Sequence, residues 1–366
     1  MSPQHPHRRT LADIVMAEVD IRTATAKPLG RASYDLAQRL RTLWFSGHYA
    51  LTARLSPRTA SAPPPVPLPS WQTINDDLSA LFRRDWRNIE AGCYRMPHDM
   101  WPNPVAVLRR SAHYFRDLEA VNRRKQARRA DEVAGPETLG RYPDYYLQNF
   151  HYQSGGYLSS ESAALYDYQV EVLFTGGADA MRRQLLVPLR AAFADLPIRA
   201  ARMIDVACGT GRFLTFVKDN YPRLDVTGID LSAPYLSEAR RQLRRWSRVA
   251  FAVGQAERLP VPDASHDIAS CIFLFHELPR PVRRQIAAEM ARVLKPGGIL
   301  LFMDSIQRGD RPDFDPLLDR FPQAMHEPYF EDYIEDDLRD VFAAAGLALE
   351  SEDRAFFARM MVLRRR

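Results

Sequence analysis

Residues 202–212 read Arg202-Met-Ile-Asp-Val-Ala-Cys-Gly-Thr-Gly-Arg212. Met203, Ile204 and Val206 form a short apolar run with β-branched members, the pattern of a buried strand. Asp205 sits near its end. Gly209 and Gly211 follow as a tight turn, and an amphipathic stretch from Arg212 to Lys218 opens a helix. Glycines between a strand and a helix let a ligand approach the backbone, because no Cβ intervenes. The spacing Asp-x-x-x-Gly-x-Gly lacks the third glycine of a G-x-G-x-x-G dinucleotide turn. It also lacks the Lys-Ser/Thr of a P-loop. A pyrophosphate site is therefore poorly supported.

The residues that follow repeat a strand–helix rhythm. Residues 224–231 read as a second strand ending in Asp230. An acidic residue there can accept both hydroxyls of a ribose, and Asp230 lies 19 positions after Gly211, near the roughly 20-residue spacing of such sites. It can equally cap the next helix, since Ser232 and Pro234 are helix-start residues. Residues 248–253 form a third strand. Asp267 to Phe275 is a near-continuous apolar run, as in a central parallel strand. Glu289 to Gly298 is a helix closed by Pro-Gly-Gly, and Ile299 to Met303 is a fifth strand.

Ile204-Asp-Val-Ala-Cys-Gly-Thr-Gly211 resembles motif I of class I S-adenosylmethionine-dependent methyltransferases. In that family the glycine turn packs against the methionine part of the cofactor. Gly254-Gln-Ala-Glu-Arg-Leu-Pro260 resembles the family's adenine-contacting loop. The family often has Asp where this chain has Gln255, whose carbonyl oxygen still accepts from an adenine amine. Glu289 to Met303 resembles the family as well, so the likeness spans roughly residues 200–305. It implies an α/β fold, a Rossmann-like seven-stranded methyltransferase sheet with a helical N-terminal extension. The expected divisions are a helical region at 1–140, a lid with connecting helices at 141–200, and the methyltransferase domain at 201–366. The implied cofactor is S-adenosyl-L-methionine, held by Asp205, Ala207, Gly209, Gly211, Asp230, Leu231, Gln255, Ala256 and Phe273.

Methyl transfer from a sulfonium requires alignment and exclusion of water more than it requires functional groups. A base is needed only when the acceptor carries a proton. His276, at the end of the fourth strand, is one candidate base, and a helix-capping role is its structural alternative. His326 is the second candidate. Glu277, Asp304, Glu327 and Tyr329 are candidate acceptor-side residues. The stretch Arg141 to Tyr157 is dense in aromatics and ends in Gly155-Gly156-Tyr157. In many small-molecule methyltransferases the segment before motif I folds over the cofactor. That likeness implies a lid made of Tyr146, Phe150, His151, Tyr152, Gln153 and Tyr157. The alternative is a static strut between the helical region and the sheet. No metal site is expected.

The end of the fourth strand lacks the Asn/Asp-Pro-Pro-Tyr/Phe of amino-group methyltransferases. It also lacks the Pro-Cys pair of 5-methylcytosine enzymes, because Ser270 precedes Cys271. Nucleic acid is thus disfavoured. The core looks most like the ubiquinone/menaquinone-biosynthesis type, which implies a small, apolar or aromatic organic acceptor. An RNA or protein methyltransferase, or a non-catalytic cofactor-binding regulator, remains open at this level.

The 366 residues are 46% hydrophobic and 26% charged, enough to bury a core, with net charge +5. Cys93, Cys208 and Cys271 show no metal or disulfide spacing, as in a reduced cytosolic protein. No apolar run approaches a membrane span, and Asp13, Glu18 and Asp20 interrupt any secretory signal. Nothing in the sequence indicates an oligomeric state. A helix is expected within 10–55, with Tyr34, Ala37, Leu40, Leu43 and Trp44 on its inner face. Six prolines between Pro57 and Pro69 make an extended linker. Helices follow at 71–90 and 104–129. The second ends in the basic run Asn122 to Arg129, read as a solvated face. Helices at 159–174 and 178–193, a helix at 336–345, and a terminal hairpin at 347–350 and 355–363 complete the expectation.

Overall fold

The computed structural model describes residues 28–57 and 66–366. The expectations for Met1 to Arg9, for residues 10–27 and for Pro63 to Pro65 lie outside the described residues. A helical region comes first: α1 (Pro28–Leu55), α2 (Trp71–Glu90) and α3 (Pro104–Ala127). Connecting helices α4 (Ser160–Leu173), α5 (Ala178–Arg183) and α6 (Leu186–Ala192) follow. The α/β part runs β1 (Arg202–Val206), α7 (Arg212–Asn220), β2 (Asp225–Asp230), α8 (Ala233–Leu243), β3 (Val249–Val253), β4 (His266–Ile272), α9 (Arg280–Val293) and β5 (Leu294–Ser305). It closes with α10 (Asp315–Ala324), α11 (Phe330–Ile334), α12 (Leu338–Ala344), β6 (Leu347–Ala355) and β7 (Ala358–Arg365).

The seven strands form one sheet in the order β3-β2-β1-β4-β5-β7-β6. All pairings are parallel except those of β7, which runs antiparallel to both β5 and β6. The fold is a Rossmann-like sheet covered on both faces. Strand alternation divides the core cleanly. Ile299, Leu301 and Met303 of β5 enter one apolar cluster, and Leu300 and Phe302 enter the other. Met360 and Val362 of β7 join the first cluster, Met361 and Leu363 the second. Leu78 and Leu81 of α2 also belong to the first, so the helical region is packed onto one face of the sheet.

Four local expectations need correction. The inner face of α1 carries Tyr34, Ala37, Phe45 and His48, whereas Leu40 and Leu43 are 49% and 73% exposed. A helix of this amphipathicity admits more than one apolar stripe, and the neighbours choose. The helix expected at 178–193 is split into α5 and α6. Pro188 has no N–H to give the Gln184 carbonyl, which takes Val187 N–H at 3.2 Å instead. The apolar run 267–275 outlasts its strand: Phe273 has φ 55°, and Phe275–Glu277 form a 3-10 turn. Pro296-Gly-Gly298 does not precede β5 but bulges within it, between the pairs His266–Leu294 and Ile268–Ile299.

The helical region is tied to the rest by a buried ionic knot. Asp85 of α2 is 0% exposed. It accepts Tyr34 Oη at 2.6 Å, Tyr94 Oη at 2.7 Å, and Arg183 Nη2 and Nε at 2.5 and 3.1 Å. A buried guanidinium left without its carboxylate is costly. Asp85→Ala is expected to destabilise the protein by about 3–5 kcal/mol in urea unfolding. A loss below about 1 kcal/mol, the range of exposed pairs, would show that the knot is not desolvated.

Candidate active site

The strand order reverses between β1 and β4, and ligands in open α/β sheets lie outside the carboxyl ends at such a point. A cavity opens there. Ala207 leaves β1 at φ 56°, and Gly209 and Gly211 continue at φ 54° and 72°. At Gly211 a Cβ would meet Leu243 Cδ1 at 2.7 Å and Ala239 Cβ at 3.1 Å, so α7 starts this close to α8 only with glycine. At Gly209 a Cβ would meet nothing nearer than Tyr235 at 4.0 Å; the positive φ, not a neighbour, selects glycine there.

Asp230 stands at the tip of β2. Its Oδ2 accepts the Gly209 N–H at 2.7 Å and its Oδ1 the Ser232 N–H at 2.8 Å. Each oxygen keeps a further acceptor site. Burial pushes the Asp230 carboxyl up to about 6, although the N–H groups of Ser232, Gly209 and Leu231 hold it back. Asp205 accepts Ser270 Oγ at 2.5 Å, and burial pushes it up to about 7.

Of the residues expected to hold the cofactor, Asp205, Ala207, Gly209, Asp230, Leu231, Ala256 and Phe273 line the cavity. Gly211 shapes the turn behind it. Gln255 does not line it: the side chain is exposed, while Gly254, Ala256 and Glu257 face inward. Glu257 accepts Tyr145 Oη from the aromatic segment. Sequence reasoning also missed Asp167 and Arg182, which reach the cavity from α4 and α5. Thr210 Oγ1 donates to Asp167 at 2.9 Å, fastening the turn to α4. No local motif marks Asp167, because its partners Thr210 and Gln242 lie far along the chain.

The aromatic segment covers one side of the cavity. Tyr146, Phe150 and Tyr157 line it together with Tyr145. The Tyr157 carbonyl accepts Ser232 Oγ at 2.5 Å, and Tyr157 Oη donates to Glu277 at 2.5 Å. His151, Tyr152 and Gln153 are not in the lining. His151 pairs with Glu327, the Tyr152 ring packs 5.6 Å from His326, and Gln153 is buried behind. His151 and Tyr152 both have positive φ, a strained pair that the packing around them must hold. Arg124 supplies part of that hold. It is buried, donates Nε to the Tyr152 carbonyl at 2.8 Å, and bonds Ser154 and Glu132. The run 122–129 is therefore a solvated face only in part.

His276 lies on the 3-10 turn after β4, buried. Its Nδ1 is 2.6 Å from Asp304 Oδ1. Asp304 is fully buried and also accepts the N–H groups of Leu274 at 3.0 Å, Phe275 at 2.6 Å and Ser305 at 2.7 Å. Asp304 thus faces the turn and not a ligand. The Asp304, Glu277 and Glu327 carboxylates outweigh burial and push the imidazole up to about 10. That direction favours the imidazolium over the free base expected of His276. His326 also stands outside the cavity lining, with Nε2 2.6 Å from Gln148 Oε1. Tyr329 accepts Gln148 Nε2 at 3.1 Å, and only Glu277 of the acceptor-side candidates lines the cavity.

Residues 203–298 match the methyltransferase domain family. The chain is 38% identical to a demethylmenaquinone methyltransferase of Deinococcus radiodurans, over 31% of this chain and 48% of that protein. It is 35% identical to a malonyl-[acyl-carrier protein] O-methyltransferase of Xylella fastidiosa, over 27% of this chain and 33% of that protein. It is 28% identical to a fatty-acid O-methyltransferase of Mycolicibacterium smegmatis, over 40% and 53%. The chain thus spans about half the length or less of these relatives. A solved S-adenosylmethionine-dependent methyltransferase from Aquifex aeolicus matches at 19% identity and TM-score 0.37, over 50% of this chain and 92% of that one. No helix among the described residues is long and apolar enough to cross a membrane. The turn at Gly209 and the Asp230 carboxylate thus lie within residues 203–298, the stretch of the chain that matches a methyltransferase domain.

Proposed function

We propose that the protein transfers a methyl group from S-adenosylmethionine to a small, apolar or aromatic organic acceptor. One observation carries the reading. The Asp230 carboxylate is aimed by two backbone N–H groups into a cavity walled by Tyr145, Tyr146, Phe150, Tyr157 and Phe273. Asp230 would accept the ribose hydroxyls, and the Ala207–Gly209 turn would face the methionine part. Ala256 and Leu231 would border the adenine. The bound cofactor supplies an electrophilic methyl group. The chain orients it and excludes water, which is what an in-line displacement needs. The aromatic wall supports an acceptor with a large apolar surface. The names of the quinone- and fatty-acid-directed relatives point the same way.

Tyr146 to Tyr157 would act as the lid. Its Tyr157 bonds to Ser232 and Glu277, with the bond of the adjoining Tyr145 to Glu257, fasten it over the cavity, so exchange of ligand requires them to open.

Isothermal calorimetry is expected to show S-adenosylmethionine binding with a roughly micromolar Kd. Asp230→Ala should weaken it by about 1.5–3 kcal/mol, the size of a charge-assisted hydrogen bond. Since Asp230 must be ionised to accept both hydroxyls and is pushed up to about 6, affinity should be full above pH 7. It should fall by up to about tenfold per unit below pH 6. For the unliganded protein the sign is opposite. A carboxyl whose folded pKa is raised costs stability as pH climbs from its unfolded value through about 6. The gain in melting temperature on adding cofactor should therefore widen over that range. Amide exchange at 146–157 should slow in the same samples. No binding at millimolar ligand, or a pH-independent affinity unaffected by Asp230→Ala, contradicts the assignment.

A further inference from the structure

His276, Glu277 and Glu327 bring one donor atom each to within 4.8 Å of one another. His276 and Glu277 come from the 3-10 turn after β4, and Glu327 from the loop between α10 and α11. His276 Nε2 and Glu277 Oε1 are 3.8 Å apart. Two ligands about 2.1 Å from a tetrahedral ion stand roughly 3.4 Å apart, so a small inward movement suffices. His151 Nε2 meets Glu327 Oε1 and so stands a second imidazole next to the group.

Two further observations point to a ligand. His276 Nδ1 is held by Asp304, which is itself fixed by backbone N–H groups. A carboxylate on one ring nitrogen is the usual outer partner of a metal-bound histidine, because it orients the ring and presents the other nitrogen. Here the other nitrogen is presented to Glu277. In addition, Glu327 is 2% exposed, and its Oε2 receives no hydrogen bond among the described residues. Neither Glu277 nor Glu327 is paired there with a lysine or arginine: Glu327 meets His151, and Glu277 meets His276 and accepts Tyr157 Oη at 2.5 Å, which leaves its other oxygen free to turn to an ion. Buried carboxylates are ordinarily paired or coordinate a metal.

We propose that His276, Glu277 and Glu327, with His151 as a fourth donor, form a divalent transition-metal site beside the cofactor cavity. A mixed imidazole and carboxylate set suits zinc, and iron or manganese after it. The ion takes the place of the proton on His276 Nε2. Glu277 is the member of the group that lines the cavity, so the ion borders that cavity. This part rests on the methyl-transfer reading: an ion there would bind an oxygen of the acceptor and lower the pKa of its hydroxyl. The substrate class it favours is a phenol, enol or carboxylic acid methylated on oxygen.

The test uses the full chain, stripped with chelator and titrated with cobalt(II) chloride alone. The site predicts one Co²⁺ per chain, a visible d–d band of a low-coordinate ion, and displacement by Zn²⁺. Glu327→Gln and His276→Gln should each weaken Co²⁺ at least tenfold. Asp304→Asn should weaken it about 10- to 100-fold through the outer partner. His98→Gln, far from the group and paired with Asp219, should change nothing. The wild-type titration alone decides whether the site exists, whatever the variants do to folding. Absence of stoichiometric Co²⁺, or a band that survives both Glu327→Gln and His276→Gln, overturns the proposal. S-adenosylmethionine affinity measured in parallel on metal-free protein separates the outcomes. Cofactor binding without metal uptake removes the site and leaves the methyl-transfer reading. Metal uptake without cofactor binding does the reverse.

Discussion

The bond from the Gly209 N–H to Asp230 Oδ2, 2.7 Å long, couples the two strand ends on which the site depends. It forms only if the chain leaves β1 through left-handed backbone at Ala207 and Gly209. It also requires β1 and β2 in parallel register, Asp205 opposite Gly228 and Val206 opposite Ile229. Gly228 is small for a related reason, since a Cβ there would meet Cys208 Sγ and Phe251 at 2.8 Å. The turn, the carboxylate and the strand pairing thus specify one another. A buried carboxyl pushed up in pKa stores unfavourable energy that a ligand with hydroxyl donors relieves.

A second carboxylate organises the acceptor side. Asp304, at the end of β5, gathers the N–H groups of Leu274, Phe275 and Ser305 and the ring of His276. This holds the 3-10 turn after β4 and sets Glu277 at the cavity edge, where Tyr157 of the aromatic segment reaches it. The helical region meets the same segment from outside through Arg124. It also packs on the connecting helix α4, through Phe45 and Tyr114 on Tyr168, and α4 holds the glycine turn by the bond of Thr210 to Asp167. The N-terminal helices therefore bear on the walls of the site.

The glycine turn, Asp230 and the five parallel strands were legible in the sequence because their signals are local: an apolar run, a breaker, an acid at fixed spacing. The inner face of α1 was not. Leu40 and Leu43 fit the helical period as well as Phe45 and His48 do, and only the position of α3 and α4 decides between them. Gln255 was misread for a similar reason. A loop residue and its neighbours alternate between cavity and solvent, and a shift of one position exchanges Gln255 for Ala256 and Glu257. Glu257, Asp167 and Arg124 draw their roles from partners 28 to 112 positions away. His276 was found as a residue, but its protonation follows from Asp304, 28 positions along the chain.

The central claim, methyl transfer to a small apolar acceptor, is tested most directly by following the methyl group. The protein is incubated with tritiated-methyl S-adenosylmethionine and a cell extract, which is then separated into organic-soluble small molecules, RNA and protein. The account predicts label in the organic-soluble fraction, dependent on Asp230. Label in RNA or protein, or no transfer above the blank in any fraction, would contradict it.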